Sequence, residues 1–568
     1  MAQAIGAVIG FFKAVFVQGM VAGLTVFGGG YATAYIFGTL AVGAVIAGGV
    51  ALMKTLAPKM PDLNALSNRG QNVRSPISTR KLIYGEAKVG GTVLFISEGN
   101  TNSDREYLYL LFALASHECQ SIDKVYIGDE ECTLDGSGQV TVPTRYIKNG
   151  TYHARFILDM LGASTSQTLD SIMTTDTDLT ATDHFKGMTV AQARLKYDPD
   201  GMFASGIPSL NFLVKGKKVY DPRDSGQAVD SSATWTYSDN PALVVADYLR
   251  SEFGLGVPHA NIDWTTVTAS ANTCDELVTL ADSSTEKRYT CNGMIDTGTP
   301  VQNNLDSLLS SCAGTMIYEN GKYKILAGEY RTPTLTITES DLRAGINIQT
   351  KTPASEQINT VTGLYVGADT NYQPANYPII TNSTYVTEDG QEQKAEINLS
   401  FTNTSTMAQR IGKIFLERAR QQYTMTLGLN LEKFTLSPGD TVKVTLESLG
   451  FDEKIFEVVE WSFGSESEIL GVDVLLKETA STVYGWSSSE EQSQGTVPAL
   501  TPTYDQVVAT PTFSLTQDQS KAEDGTIIDD IIVDISDPLT DPHVKFYQVF
   551  WKENSESDYK VIEVEREI

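Results

Sequence analysis

The chain has 568 residues, enough for about four domains, and its 41% apolar and 20% charged content is that of a globular protein, not of a disordered, collagenous or polytopic membrane chain. The balance of 42 basic against 70 acidic residues gives a net charge of −28. That argues against a conventional nucleic-acid binder, which needs a basic face to displace counterions from phosphates, and it suits a conduit that DNA passes without sticking.

The charge is unevenly spread. Residues 1–61 hold Lys13, Lys54 and Lys59 and no acid, which leaves −31 on the rest. Forty charge-free residues separate Lys13 from Lys54, twice the ~20 that a membrane-spanning helix needs. Gly28-Gly29-Gly30 divides the run. Phe11, Phe12, Phe16, Phe27, Tyr31, Tyr35 and Phe37 stud its first two thirds, and residues 41–50 are small ones that let helix backbones approach closely. A signal peptide would begin with a basic stretch, which is missing here. The segment predicts an apolar helical arm over 1–61. The seven aromatics are candidates for membrane insertion or for a plug inside an oligomer, with a constitutive anchor as the third reading. Pro58 and Pro61 end the arm, and residues 62–79 read as a polar, turn-rich linker.

Residues 80–235 read as a first β domain. KLIYG, GGTVLFIS and REYLYLLFAL are short β-rich runs with glycine or polar breaks, and SIDKVYIGDEECTL continues them. Residues 151–187 read as a loop-rich insertion with a short helical piece. MTVAQARLKYD and IPSLNFLVKGKKVYDPR return to strands, with Lys215-Gly216-Lys217 a tight-turn candidate. Residues 236–330 read as a small α/β domain. Asn240 is placed to cap a helix that Pro241 opens and that runs toward Gly254. A second helix includes Cys274. A third starts after Pro300, with Leu305, Leu308, Leu309 and Cys312 at i, i+3, i+4, i+7. Asn320-Gly321 suits a type I′ hairpin turn.

Residues 331–485 read as a second β-barrel domain. It holds one helix, marked by the stripe Met407, Ile411, Ile414 and Phe415. A half-buried strand follows, in which Tyr423, Met425, Leu427, Leu429 and Leu431 alternate with polar residues or glycine. Ser437-Pro438-Gly439-Asp440 is a turn. Residues 486–508 read as a linker, and 509–568 as the start of a fibronectin type III-like sandwich. Such a module needs about 90 residues, so the chain is expected to continue past its last residue.

Chemistry is sparse. The five cysteines include no CxxC pair and make no disulfide framework. Cys274, Cys291 and Cys312 can meet in one subdomain but read as buried thiols. His117-Glu118-Cys119 has the residue types of a nucleophile and its base, yet neighbours on a strand point to opposite faces. Asp183-His184 lies in a polar loop and reads as a turn. Asp529, Asp530 and Asp541 lack the spacing of a calcium loop. Trp235, Trp264 and Trp551 flank secondary structure and read as packing. There is no GxSxG, HExxH, P-loop or dinucleotide fingerprint. No catalytic residue, metal or cofactor is expected.

Several strings become informative in their order. KLIYGEAKVGG is followed by NSDREYLYLLFALASHECQSIDKVYIGDEE, then by IPSLNFLVKGKKVYDPR and WTYSDNPALVVADYLRSEFGLGVPHANIDW, then by RYTCNGMIDTGTPVQNNLDSLLSSCAGTMIYENGKYKILAG. Across roughly residues 80–480 the chain resembles the central tail-tip, or baseplate hub, proteins of long-tailed phages. The resemblance implies a mainly β chain with small α/β parts, in which two tail-tube-like β-barrel domains flank an α/β domain. It implies a homotrimer at the distal end of a phage tail, whose six barrels continue a hexameric tube. The implied partners are the tape-measure protein, distal-tail and other tail-tip proteins, a host cell-surface receptor reached through C-terminal parts, and genome DNA crossing the lumen without specific binding. Host-membrane contact by the arm is a further expectation. The apolar arm is a point at which this sequence departs from the resemblance. A peripheral receptor-binding adhesin and a cell-wall hydrolase are the competing readings. Dispersed tryptophans speak against the first, and the lack of visible paired carboxylates against the second.

Overall fold

A computed structural model describes residues 34–35, 72, 78–99, 106–163, 167–198, 202–203, 206–353, 357–466, 469–493, 512–536, 546–555 and 557–565. The chain divides into two compact units, residues 1–495 and 496–568.

The first unit is built mainly from antiparallel sheets. A four-stranded sheet runs in the order Ala154–Leu161, Thr189–Lys196, Tyr107–Ala115, Thr92–Glu98. Tyr107–Ala115 serves two cores: Leu110, Phe112 and Leu114 face one way, Tyr109 and Leu111 the other. A strand covered on both faces reads as a continuous apolar run, which is why YLYLLFALA does not alternate. The second sheet runs Thr236–Tyr237, Leu210–Val219, Cys119–Ile127, Glu130–Leu134, Val140–Val142, with Glu86–Val89 also paired to Leu210–Val219. Between the sheets, the Phe212 ring lies 5.7 Å from that of Phe112 and 6.2 Å from that of Phe156. The insertion has a packing role. Its Leu169, and Met173 on the short helix Ser171–Thr175, cover Tyr109, Leu111 and Val190 on the outer face of the four-stranded sheet. Gln167 fixes this cover, accepting from the Gly162 amide at 2.7 Å and donating to the carbonyls of Phe185 (2.8 Å) and Met188 (3.0 Å).

Lys215-Gly216-Lys217 is not a turn, because Leu210–Val219 runs straight through it. Glycine is required there for another reason. A Cβ at position 216 would stand 2.1 Å from the carbonyl oxygen of Ile83, a backbone contact that cannot yield.

Strand Lys81–Tyr84 joins two regions. Ile83 belongs to the core just described, and Leu82 and Tyr84 to the next one. The strand pairs with Gly293–Asp296. Three helices, Pro241–Arg250, Trp264–Asp275 and Val301–Ser310, form the α/β part. The Asn240 side chain accepts from the Ala242 amide at 3.1 Å and Pro241 opens the helix, which stops at Arg250 rather than continuing to Gly254. Leu305, Leu308 and Leu309 meet Leu243, Val244 and Val245 in one core. Strands Thr315–Glu319 and Lys322–Leu326 turn at Asn320 and Gly321, whose φ values of 51° and 79° are those of a type I′ turn. The five cysteines are free and buried. Cys274 and Cys312 share a core with Tyr289, whereas Cys291 lies in the helical core, so the three do not form one cluster.

A six-stranded sheet follows, in the order Leu335–Thr338, Thr441–Leu446, Phe451–Glu466, Ile469–Glu478, Thr424–Asn430, Asn347–Gln349; only its first pair is parallel. The alternation places Met425, Leu427 and Leu429 in the core with Val444, Phe456 and Val474. The strand ends at Asn430, and Leu431 begins a 3-10 turn. Ile337 and Ile348, from opposite edges of the sheet, enter the same core. No sheet closes into a barrel among the described residues. Residues 350–423 form an inserted α/β module. Helix Ser405–Arg420 buries Met407, Ile411 and Ile414 against Val361, Tyr365, Tyr377 and Leu399, and Phe415 is only partly buried.

The second unit contains two hairpins, Thr512–Lys521 with Ile527–Ser536 and Phe546–Trp551 with Lys560–Glu565. Strands form where their spacing expects them, but no strand pairing joins the two hairpins among the described residues. Phe513, Leu515 and Ile531 stand exposed.

Of the arm, only Ala34–Tyr35 is described. Its backbone is extended, where helix was expected, with Ala34 opposite Tyr318 and Tyr35 opposite Ile317. Phe11, Phe12, Phe16, Phe27, Tyr31 and Phe37 lie outside the described residues. Among the described residues no helix is long and apolar enough to cross a membrane.

Candidate functional site

His117, Glu118 and Cys119 sit where a sheet strand begins. The His117 Nδ1 is 2.8 Å from the Glu118 carbonyl and 3.7 Å from Cys119 Sγ, and its Nε2 accepts from the Ile83 amide at 2.9 Å. The two partners fix the tautomer: the proton is on Nδ1. Burial lowers the His117 pKa to about 4 and pushes the Cys119 thiol up to about 12. An activated thiol–imidazole pair needs the opposite shift at the thiol. This is a neutral, structural histidine beside an inert thiol.

A second cluster was invisible in the sequence. Helix Pro241–Arg250 turns Asp247 inward, where it is 5% exposed. The Tyr84 hydroxyl and the Lys217 ammonium each donate to its Oδ2 at 2.6 Å. Burial, and then the carboxylate, hold the Tyr84 phenol well above its usual range. Both donors meet on one oxygen, so the trio pins the first β region to the α/β part.

Trp235 and Trp264 are likewise satisfied internally. The Arg250 guanidinium lies 5.4 Å from the Trp235 ring and 5.8 Å from the Trp264 ring, so the chain's own cation occupies both stacking faces. Their indole N–H groups donate to the carbonyls of Ala228 and His259. In the second unit Trp551 carries Lys560 at 4.7 Å. Asp183 accepts from the Thr180 amide at 2.8 Å, which lowers its carboxyl pKa and makes it the expected turn residue. Asp529 takes a hydrogen bond from the Gln519 amide, and Asp541 lies outside the described residues. No three His, Cys, Asp or Glu side chains converge on a metal position among the described residues.

The features left for function are strand edges. Among the described residues Thr92–Glu98 pairs on one side only, and its Leu94 and Ile96 are 41% and 42% exposed. A seven-residue apolar edge with one charge is the kind that proteins blunt or cover. Hairpin Phe451–Glu466 with Ile469–Glu478 outruns its neighbour, since Thr441–Leu446 pairs with it only as far as Glu457. Beyond that point Phe463 and Leu470 stand 57% and 52% exposed. Edge exposure depends on which distant strand pairs where, and local sequence carries no sign of it.

A family model described as "Putative phage tail protein" matches residues 300–461. The baseplate hub protein pb3 of Escherichia phage T5 is 22% identical over 312 residues, covering 52% of this chain and 32% of that protein. The match thus spans about a third of the relative's length. Among solved structures, a chain of the virion of a native gene transfer agent particle has the same fold, with a TM-score of 0.53 at 15% identity over 84% of this chain and 98% of that one. The resemblance read from the sequence therefore holds: in sequence and in fold this chain is related to phage tail proteins, a baseplate hub among them.

Proposed function

We propose that the protein is the structural hub of a phage tail tip. Its place is the distal end of the virion tail. Three copies form a ring that continues and closes the tail tube, contacts the tape-measure protein and the other tail-tip proteins, carries receptor-binding parts, and opens for genome DNA. The observation that carries this reading is the apolar edge strand Thr92–Glu98, unpaired on one side among the described residues, which a lone chain has reason to blunt and an assembly has reason to keep. Two β regions per chain give six in a trimer, the number a hexameric tube needs. The six-stranded sheet, with one core running from edge to edge, is the element this reading assigns to the tube wall. The net charge of −28 keeps DNA moving past rather than bound. The relatives are structural tail proteins, which supports a role without catalysis.

The apolar arm with Phe11, Phe12, Phe16, Phe27, Tyr31, Tyr35 and Phe37 serves, on this reading, as a lumen plug or as a segment released into the host membrane. A peptide of residues 1–58 separates the two: partitioning into liposomes supports release, and its absence supports the plug. Electron microscopy of the particle end tests the hub itself. Threefold density with six β regions around the axis is expected. Peripheral copies off the tail axis would replace the hub with the adhesin reading, which the exposed Phe513, Phe550 and Trp551 of the second unit favour.

A further inference from the structure

The loop after strand Leu364–Val366 reaches outside its own module. It passes through a 3-10 turn at Ala368–Thr370 into Asn371 and Tyr372, which have φ values of 53° and 58°. Asparagine tolerates that region, whereas a bulky aromatic enters it rarely and at a cost. The loop is closed on itself. The Tyr372 amide donates to the Gly367 carbonyl at 2.7 Å and the Thr370 hydroxyl to the Gln373 carbonyl at 2.7 Å.

Its tip touches strand Glu86–Val89 of the first β region. The Tyr372 hydroxyl donates to Glu86 Oε1 at 2.6 Å, 286 residues away, and Asn371 Oδ1 accepts from the Lys88 ammonium at 2.9 Å, 283 residues away. Lys88 is 5% exposed, with its ammonium 4.0 Å from the centre of the Tyr126 ring. Two charge-assisted hydrogen bonds therefore hold the contact. Two features oppose it: the strained backbone at Tyr372 and an ammonium stripped of water, which opening would rehydrate. The module is also attached through Arg410, where the helix backbone carries no such strain, although the guanidinium is as buried as the Lys88 ammonium. Arg410 is 2% exposed, lies on the long helix Ser405–Arg420, and holds Glu286 at 2.6 Å and the Arg288 carbonyl at 2.9 Å.

We propose that residues 367–373 are a strained clip between the inserted α/β module and the first β region, built to let go while the Arg410 attachment holds. The hub reading supplies a use for such a clip, an early step in opening the tube. The clip itself is a property of the chain.

Hydrogen exchange on the full chain, read by mass spectrometry, tests it. Tyr372→Phe removes one hydrogen bond to a carboxylate and keeps the ring. It is expected to raise exchange of the 367–373 peptide by roughly tenfold or more and to leave helix Ser405–Arg420 unchanged. Glu86→Gln swaps the charge for a neutral acceptor and is expected to act in the same direction by a smaller factor. If neither variant changes exchange of 367–373, or if the helix loosens together with the loop, the loop is ordinary packing and the clip is wrong. Neither readout involves a particle, so failure of the clip and failure of the hub reading are separately visible.

Discussion

The pin at Asp247 gives a prediction whose size follows from its geometry. Tyr84 and Lys217 both donate to one buried carboxylate oxygen at 2.6 Å. Asp247→Ala strands the buried Tyr84 hydroxyl and takes the counter-ion from the partly exposed Lys217 ammonium, and leaving a buried donor unsatisfied costs about 1–3 kcal/mol. Tyr84→Phe removes one hydrogen bond to a charged group and is expected to cost about 1.5–3 kcal/mol. In the Asp247→Ala background the same change deletes a hydroxyl that no longer has its acceptor, so its cost falls to about zero and the coupling is about 1.5–3 kcal/mol. Urea unfolding of the four proteins of the cycle, followed by fluorescence and circular dichroism, measures it. Lys217→Met in the Asp247→Ala background is expected to recover only part of the loss, because the Lys217 side chain is 23% exposed and the Tyr84 hydroxyl stays unpaired. A coupling below about 0.5 kcal/mol would refute the argument, since the three groups would then be acting independently.

Other consequences are as direct. The His117 pKa is depressed from 6.5 to about 4, so its contribution is present above pH 6.5 and lost as pH falls toward 4. His117→Gln is expected to flatten that part of the acid stability profile, by about 3 kcal/mol at most. Glu460 titrates the other way. Burial raises it from 4.5 to about 7, so its contribution is present below pH 4.5 and lost as pH rises through 7. Glu460→Gln is expected to stabilise at pH 8 and change little at pH 4.5, as urea midpoints at the two pH values will show. Gly216→Ala drives a Cβ into the Ile83 carbonyl and is expected to cost about 3 kcal/mol or more, visible as a lowered urea midpoint. Leu94→Lys with Ile96→Lys leaves the fold intact, because both side chains are exposed, and under the proposed hub role is expected to abolish assembly into tail tips. Assembled particles carrying both lysines would remove this edge from the interface.

Features coded by neighbouring residues were legible in the sequence. The cap at Asn240-Pro241, the turn at Asn320-Gly321 and the stripe of Leu305, Leu308 and Leu309 each depend on residues a few positions apart, and each appears where expected. Gly216 misled because its constraint comes from Ile83, a strand distant in sequence. Lys217 and Asp247 are 30 residues apart and Glu86 and Tyr372 are 286 apart, so neither contact leaves a local trace. Strand spacing located the hairpins after residue 509 but did not determine whether they pack together, since face-to-face packing depends on strands outside each hairpin. The resemblance to tail-tip proteins was legible because it rests on the order of several strings, each weak alone.

Strand Lys81–Tyr84 has a consequence for how the chain is made. Its partner Gly293–Asp296 leaves the ribosome roughly 210 residues later, which at 5–20 residues per second is a delay of about 10–40 s. Throughout that interval Leu82, Ile83 and Tyr84, each fully buried in the end, have no neighbouring strand from the α/β part. The N-terminal β region therefore cannot finish folding as it emerges. A polypeptide halted before residue 293 presents an apolar edge to every other nascent chain around it.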